Sequence, residues 1–308
     1  MTHSLLLSAM QFRNPSGRLL VACFTLATAP GLARADDWVG ARGAARGGTG
    51  LADAADVGAI ATNVATVSLV ERYDMSAGGV AGPDDTWLGR IAAVDSRTSV
   101  ITLGATYSYR ADDVAPPLSA LPGWVVAGEA LTNETSHQGV TVGVAYPFLG
   151  RKLSVALSGR FDWRDSEQEG ADDAFNFGAS FAARPWTPLT LALSVQNVLD
   201  LGYADTRRLV DLGVRWDIGS YLAFEGQVRT EWMGEPFEES FAEHLGVDVG
   251  VTTWLRLGAG WEHEDGNHRV GGGLSLVSEK AELDYSLVGE VDASPARLWH
   301  GVDLRVHF

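Results

Sequence analysis

Through most of its length the chain alternates apolar and polar residues with a period of two, and the pattern is sharpest at its end. From Leu298 the even positions are Leu298, His300, Val302, Leu304, Val306 and Phe308, while the odd positions from Gly301 are Gly301, Asp303, Arg305 and His307. Successive side chains of a strand point to opposite faces, so this segment has one apolar face and one charged face. Stretches of the same period, bounded by turn-forming residues, lie near 71–80, 86–95, 98–110, 137–147, 151–164, 173–184, 187–198, 207–217, 220–232, 242–252, 253–263, 268–277, 280–291 and 297–308. They predict an all-β fold of fourteen antiparallel strands.

An even number of strands closed into a barrel returns both ends to one side, with short turns there and longer loops opposite. The connections obey this parity. Ser96-Arg97, Phe148 to Gly150, Pro185-Trp186, Ile218-Gly219, Thr252-Thr253 and Ser278-Glu279 alternate with 111–136, 165–172, 199–206 and 233–241.

The two faces differ in a way that says which is outside. One set holds Leu153, Val155, Leu157 and Phe161; Leu189, Leu191, Leu193 and Val195; Leu245, Val247, Val249 and Val251; Leu283, Tyr285 and Leu287. The other holds Arg160, Asp162, Gln196, Asp211, Arg215, Glu225, Arg229, Asp248, Arg256, Asp284, Asp303 and Arg305. A soluble barrel buries its apolar face inside. Charges of both signs are too many for such a core, whereas a transmembrane barrel turns the apolar face to lipid and the charges to its lumen; an Arg or Lys facing lipid at midplane costs about 2–4 kcal/mol. Trp186, Trp216 and Trp254 at the turn side, and Trp87, Trp163, Trp232, Trp261 and Trp299 at the loop side, predict two aromatic belts.

The N-terminus fits export. Arg13 and Arg18 precede the apolar run Leu19 to Ala29, and Ala33-Arg34-Ala35 offers a cleavage site before Asp36, so residues 1–35 read as a signal peptide. Leu20-Val21-Ala22-Cys23 spells a lipobox, but Arg18 leaves too short an apolar run ahead of Cys23 for that reading. With the leader gone, 20 of the 23 basic residues remain against 39 acidic ones, a formal charge of −19, which makes nucleic acid an unsuitable partner. The mature chain then lacks cysteine and thiol chemistry. Much of the acid lies in the loop-side connections, as at Asp84-Asp85, Asp112-Asp113 and Asp165 to Asp173, which would face lipopolysaccharide and outer-membrane lipid and invite bridging by divalent cations.

Neither G-x-S-x-G, H-E-x-x-H nor C-x-x-C occurs, so the sequence points to no enzyme, no cofactor and no metal centre. His263-Glu264-Asp265 and His268 bracket one turn without a fixed ligand spacing. Gly47-Gly48-Thr49-Gly50 has no preceding strand and no following G-K-[ST], which excludes a phosphate loop.

Residues 36–70 alternate poorly, show no clear helix and are rich in small residues. Gly40-Ala41-Arg42-Gly43-Ala44, Gly47-Gly48, Asp53 to Asp56 and Asn63 match, in order, the N-terminal hatch of the outer-membrane long-chain fatty acid transporter (FadL-like) superfamily, and the segment resembles that hatch, including its shorter PorV/PorQ-type form. The family's Asn-Pro-Ala-Gly-Leu box is here Asn63-Val64-Ala65-Thr66-Val67-Ser68-Leu69, without the Pro and Gly. Pro188 to Asn197 is similar to a mid-barrel strand of the PorV/PorQ-type members. The terminal Phe308 resembles the C-terminal signature of bacterial outer-membrane barrels, which implies recognition by the barrel-assembly machinery and residence in the outer membrane of a Gram-negative bacterium.

The resemblance implies a barrel (71–308) whose lumen is plugged by a hatch (36–70) carrying Gly43, Gly47, Gly48, Asp53, Asp56 and Asn63. The residues support it from their own side, because Gly143, Gly178, Gly213, Gly246, Gly250, Gly258, Gly260, Gly271, Gly273 and Gly301 all fall on inward positions, where a missing side chain makes room for another backbone. The implied function is passive transport of hydrophobic small molecules, with Leu118, Leu121, Trp124, Val125 and Val126 of the 111–136 loop as the lip of an outer pocket. The alternative is a PorV-like secretion accessory that holds a partner or cargo protein; a third reading is a purely structural barrel.

Overall fold

A computed structural model of the chain describes residues 40–82, 87–112, 135–166, 170–198, 208–233, 238–264, 266–291 and 297–308. The predicted leader and its cleavage site lie outside the described residues, as do Leu118, Leu121, Trp124, Val125 and Val126. The strands are β1 Tyr73–Ala81, β2 Trp87–Asp95, β3 Thr102–Asp112, β4 Thr135–Phe148, β5 Leu153–Ser166, β6 Gly170–Trp186 and β7 Leu189–Gln196. They continue as β8 Arg208–Ile218, β9 Leu222–Met233, β10 Glu238–Gly250, β11 Leu255–Glu264, β12 Asn267–Val277, β13 Ala281–Glu290 and β14 Arg297–His307. Each pairs antiparallel with its sequence neighbours, and β1 also pairs with β14, so the fourteen-stranded sheet closes on itself.

Closure is what the sequence pattern needs, because a barrel has no open edge and satisfies every backbone group of a strand between neighbours. No helix of the described residues is long and apolar enough to cross a membrane. The apolar set lies outside: Leu157 is 70% exposed and Leu245 56%. On the other face Asp211, Glu225, Asp303 and Arg305 are buried in the lumen. A closed sheet apolar outside and charged inside is a membrane-embedded barrel.

The rim that carries Tyr73 and Phe308 is the lower rim. There the Phe308 N–H donates to the Tyr73 carbonyl at 3.0 Å and the two rings meet edge to face at 5.3 Å. The lower turns are 96–101, 149–152, 187–188, 219–221, 251–254 and 278–280. The first is longer than predicted, and β3 starts at Thr102, because Asp95 Oδ1 accepts from the N–H groups of Arg97 (3.0 Å) and Thr98 (2.9 Å) and holds the chain in a turn.

Two upper connections are shorter than the sequence suggested. Ser166 pairs with Gly170, and Met233 with Glu238, so most of 165–172 and 233–241 is strand. A ladder is made by backbone hydrogen bonds and needs no apolar alternation, so it continues where the sequence pattern stops.

The aromatic belts need one correction. Trp186, Trp216 and Trp254 are exposed at the lower rim as expected, but Trp299 points into the lumen, 5% exposed, against Val80 and Leu88. It shares the odd-numbered face with Gly301, Asp303 and Arg305, so strand parity overrides its place near a strand end.

Residues 40–70 run inside the barrel and are not featureless. They form a helix at Ala41–Ala45, a 3-10 turn at Val57–Ile60 and a helix at Val64–Val67. All three are too brief to signal by periodicity and are fixed by packing instead. Val57, Ile60, Val64, Val67 and Leu69 bury against inward Ala92, Val94, Ala145, Ala156 and Ala182 of the wall, where small side chains leave room.

Candidate functional site

The lumen is occupied where the wall has no side chains. A Cβ placed on Gly246 would lie 2.7 Å from the Arg46 carbonyl oxygen, on Gly260 2.0 Å from the Arg46 carbonyl carbon, and on Gly271 2.4 Å from the Ala44 carbonyl oxygen. Gly258, Gly273 and Gly301 face Arg46, Ala45 and Ala41, while Gly143 faces Val64 and Gly213 faces Leu51. Gly178 and Gly250 are different: their neighbours are barrel residues, among them Ser158 and Tyr221. On the hatch side Gly47 and Gly48 take φ of 72° and 79°, values open to glycine, and a Cβ on Gly47 would sit 2.5 Å from the backbone of Trp261.

This close approach brings Arg42 and Arg46, one helical turn apart, against acid on the wall. Arg42 Nη2 lies 2.6 Å from Asp248 Oδ2 and its Nη1 3.4 Å from Glu282 Oε1. Arg46 Nη1 lies 2.7 Å from Glu225 Oε2 and its Nη2 3.1 Å from Asp53 Oδ2. Arg215 of β8 completes the cluster at 3.3 Å from Asp53 and 3.4 Å from Glu225. Asp53 is thus the common counter-ion of two hatch arginines and one wall arginine. Burial by itself would raise its pKa, but the guanidinium groups of Arg215, Arg42 and Arg46 hold it well below the usual carboxylate range. Arg42 shows the converse: burial would lower its pKa, and Asp53, Asp248 and Asp284 more than offset this and hold it above the ordinary guanidinium value.

Of the predicted hatch residues, Asp56 and Asn63 start local elements, and Asn63 Nδ2 also donates to the wall carbonyls of Phe181 and Leu193 at 3.5 Å. Asp56 Oδ1 accepts from the Gly58 N–H at 2.7 Å and starts the 3-10 turn; Asn63 Oδ1 accepts from the Thr66 N–H at 3.1 Å and caps the Val64–Val67 helix. Asn63 therefore orders the box despite the absent Pro and Gly. Gly43 is buried within the first helix.

The predicted lumen set divides by what it meets. Asp303 accepts from the Ala41 N–H at 2.5 Å and faces Arg90 at 3.7 Å, while Arg305 binds Glu282 and donates to the Ala55 carbonyl. Arg229 and Gln227 hold Asp211, at 2.7 and 3.0 Å, within the wall. Arg160 pairs with Asp162 on its own strand at 2.7 Å. Arg256 reaches none of these and lines a cavity of about 200 Å³ at the lower mouth.

Two features escaped the sequence reading. Arg42 and Arg46 carry the hatch side of the cluster, and the available signal was a pair of cations at i and i+4 in a segment of small residues that faces an acidic lumen. The second is an apolar patch inside the barrel, formed by Val80, Leu88, Trp299 and the half-buried Val288 beside Ala41 and Ala44 of the hatch. Trp299 Nε1 there has no hydrogen-bond partner among the described residues. A larger groove of about 910 Å³, lined by Leu189, Val214, Trp216, Phe224, Leu245 and Trp261 among others, lies on the lipid-facing wall and not in the lumen. His263 and His268 stack on each other with centroids 4.6 Å apart and Trp261 beside them, so their partners are rings; among the described residues no cluster of metal-ligating side chains forms.

No protein-family model matches the chain, and no curated protein matches it. Solved structures do. The chain is similar to the Ralstonia pickettii toluene transporter TbuX at 12% identity and a TM-score of 0.64, over 87% of this chain and 98% of that one. It matches the Pseudomonas putida toluene transporter TodX at 10% identity and 0.61, over 91% and 98%. A Pseudomonas aeruginosa FadL homologue matches at 10% and 0.60, over 87% and 98%. Identities this low establish the shared fold, which is the one the hatch residues and strand count led us to expect.

Proposed function

We propose that this chain is a passive outer-membrane channel for small hydrophobic molecules, with 36–70 as its hatch and 71–308 as its barrel. The observation that carries the proposal is the plugged fourteen-stranded fold, which spans nearly the whole of structures described as toluene transporters. A lumen-filling hatch held by buried ion pairs suits a channel that must stay shut to water and ions while conducting a rare apolar solute. The lower rim is periplasmic in this reading, and the upper rim faces the outside.

The wall beside the Arg42 and Arg46 cluster is charged, so an apolar solute that enters from above needs an apolar landing place before it. Val80, Leu88 and Trp299 supply one next to the hatch, and an indole face stacks well on a monoaromatic ring. The 111–136 loop, with Leu118, Leu121, Trp124, Val125 and Val126, would close over the outer entrance.

The test is influx of radiolabelled toluene and of a radiolabelled long-chain fatty acid into proteoliposomes that contain the full-length barrel. Faster entry of either than into protein-free vesicles, slowed by Trp299→Ala, supports transport. Rates equal to protein-free vesicles for both solutes, from barrels that remain folded on gels, would remove the reading; a stoichiometric protein co-purifying with such a barrel would point to the secretion role instead.

A further inference from the structure

The cavity at the lower mouth has cations that the hatch cluster does not use. Its lining includes Arg42, Arg215, Asp53 and Asp248 of the ion cluster, together with Arg184, Asp217, Tyr221 and Arg256. Arg42 and Arg215 are committed to carboxylates, and Asp217 is taken up by Arg215 Nε at 3.0 Å. Arg184 and Arg256 are not. Among the described residues neither has an ion-pair partner; the Arg184 Nε donates only to the neutral Thr190 hydroxyl at 3.3 Å, and both side chains are half-buried. The lining holds four arginines against three aspartates, and those aspartates are bound by Arg42, Arg46 and Arg215 rather than by these two.

We propose that this cavity binds a small oxyanion, phosphate or a low-molecular-weight polycarboxylate, which enters from the lower rim and is held by Arg184 and Arg256. Guanidinium groups present planar pairs of N–H donors that match two oxygens of one anion, and bonds between charged partners are the stronger kind. The volume of about 200 Å³ is roughly seven times the ~30 Å³ share of one water molecule. That admits phosphate or a di- or tricarboxylate and excludes a fatty acyl chain. Lys152, whose carbonyl accepts from the Arg184 N–H at 2.6 Å, is exposed and places a further cation on the same rim. The site is independent of the transport reading and lies on the opposite side of the hatch from the Trp299 patch.

Calorimetric titration of the full-length barrel in phosphatidylcholine nanodiscs with sodium phosphate, and separately with sodium citrate, tests it at fixed ionic strength. The expected result is saturable binding of at least one anion, near one per chain, weakened at least about tenfold in R184Q/R256Q. R184Q alone, which removes a guanidinium group that has no ion pair among the described residues, should weaken it in the same direction if the double variant fails to fold. A companion titration in discs that contain phosphatidylglycerol separates the sources: binding abolished there means that a lipid phosphate occupies the same cavity, and unchanged binding means that the ligand is soluble. Absence of saturable heat with both anions up to about 10 mM, or equal affinity in the wild-type chain and folded R184Q, would overturn the proposal.

Discussion

Gly260 on β11 faces Arg46 of the hatch so closely that a methyl group on Gly260 would stand 2.0 Å from the Arg46 carbonyl carbon. The obstacle is backbone, which cannot rotate away as a side chain can. Gly260→Ala should therefore displace the hatch at a cost above the ordinary ~1–3 kcal/mol of overpacking. Gly272 on β12, where an added Cβ meets nothing within 4 Å, is the control. Limited proteolysis of the folded barrel checks this: cleavage within 40–70 should accelerate for Gly260→Ala and stay unchanged for Gly272→Ala.

Asp53 is shared by Arg46, Arg215 and Arg42, so its loss leaves buried guanidinium groups without their counter-ion. Removing one partner of a buried pair costs about 3–5 kcal/mol. Asp53→Asn should loosen the hatch by that order while the barrel stays closed. Hydrogen exchange read on peptides from 40–70 and from β13 separates the two, with protection lost in the first and kept in the second.

The same carboxylate sets an acid limit. Its folded pKa is depressed, so its contribution is fully present above the unfolded value of about 3.9 and is lost only as the pH falls through the lower folded value. Single-channel recordings should show no hatch opening attributable to Asp53 between pH 7 and about 4, and opening in stronger acid. Opening that begins near pH 6 and vanishes in Asp53→Asn would contradict this assignment.

Asn63 caps the Val64–Val67 helix, the element that fills the wall at Gly143. Asn63→Ala should cost about 0.5–2 kcal/mol. Asn63→Asp, which keeps the accepting oxygen, should recover most of it, as measured by exchange of the Thr66 amide.

Leu157, 70% exposed on β5, faces lipid, and replacing it by Arg should destabilise the barrel by about 2–4 kcal/mol if it lies near midplane. The neighbouring inward Ser158→Thr should cost far less. Urea titration of the barrel in bilayers compares the two.

The residues themselves determined the strands, their number, the parity of turns and loops, and which face meets lipid. All of these follow from a period of two read over about ten residues at a time, because side-chain alternation is local and the bilayer sorts the two faces regardless of the rest of the fold. Inward glycines on β10, β11 and β12 even announced that something fills the lumen. Trp299 was legible too, by its odd number, although its place near a strand end obscured it. Pairings were not legible. Asp53 with Arg215, Arg46 with Glu225 and Arg42 with Asp248 join residues some 160 to 210 positions apart, and every inward carboxylate was an equal candidate until closure fixed the height and azimuth of each strand. The same holds for Arg184 and Arg256 of the lower cavity, which have no ion pair among the described residues. Only the tertiary structure decided which charges the hatch satisfies and which it leaves for something else, because Coulomb energy depends on distances across the lumen that alternation along a strand does not encode.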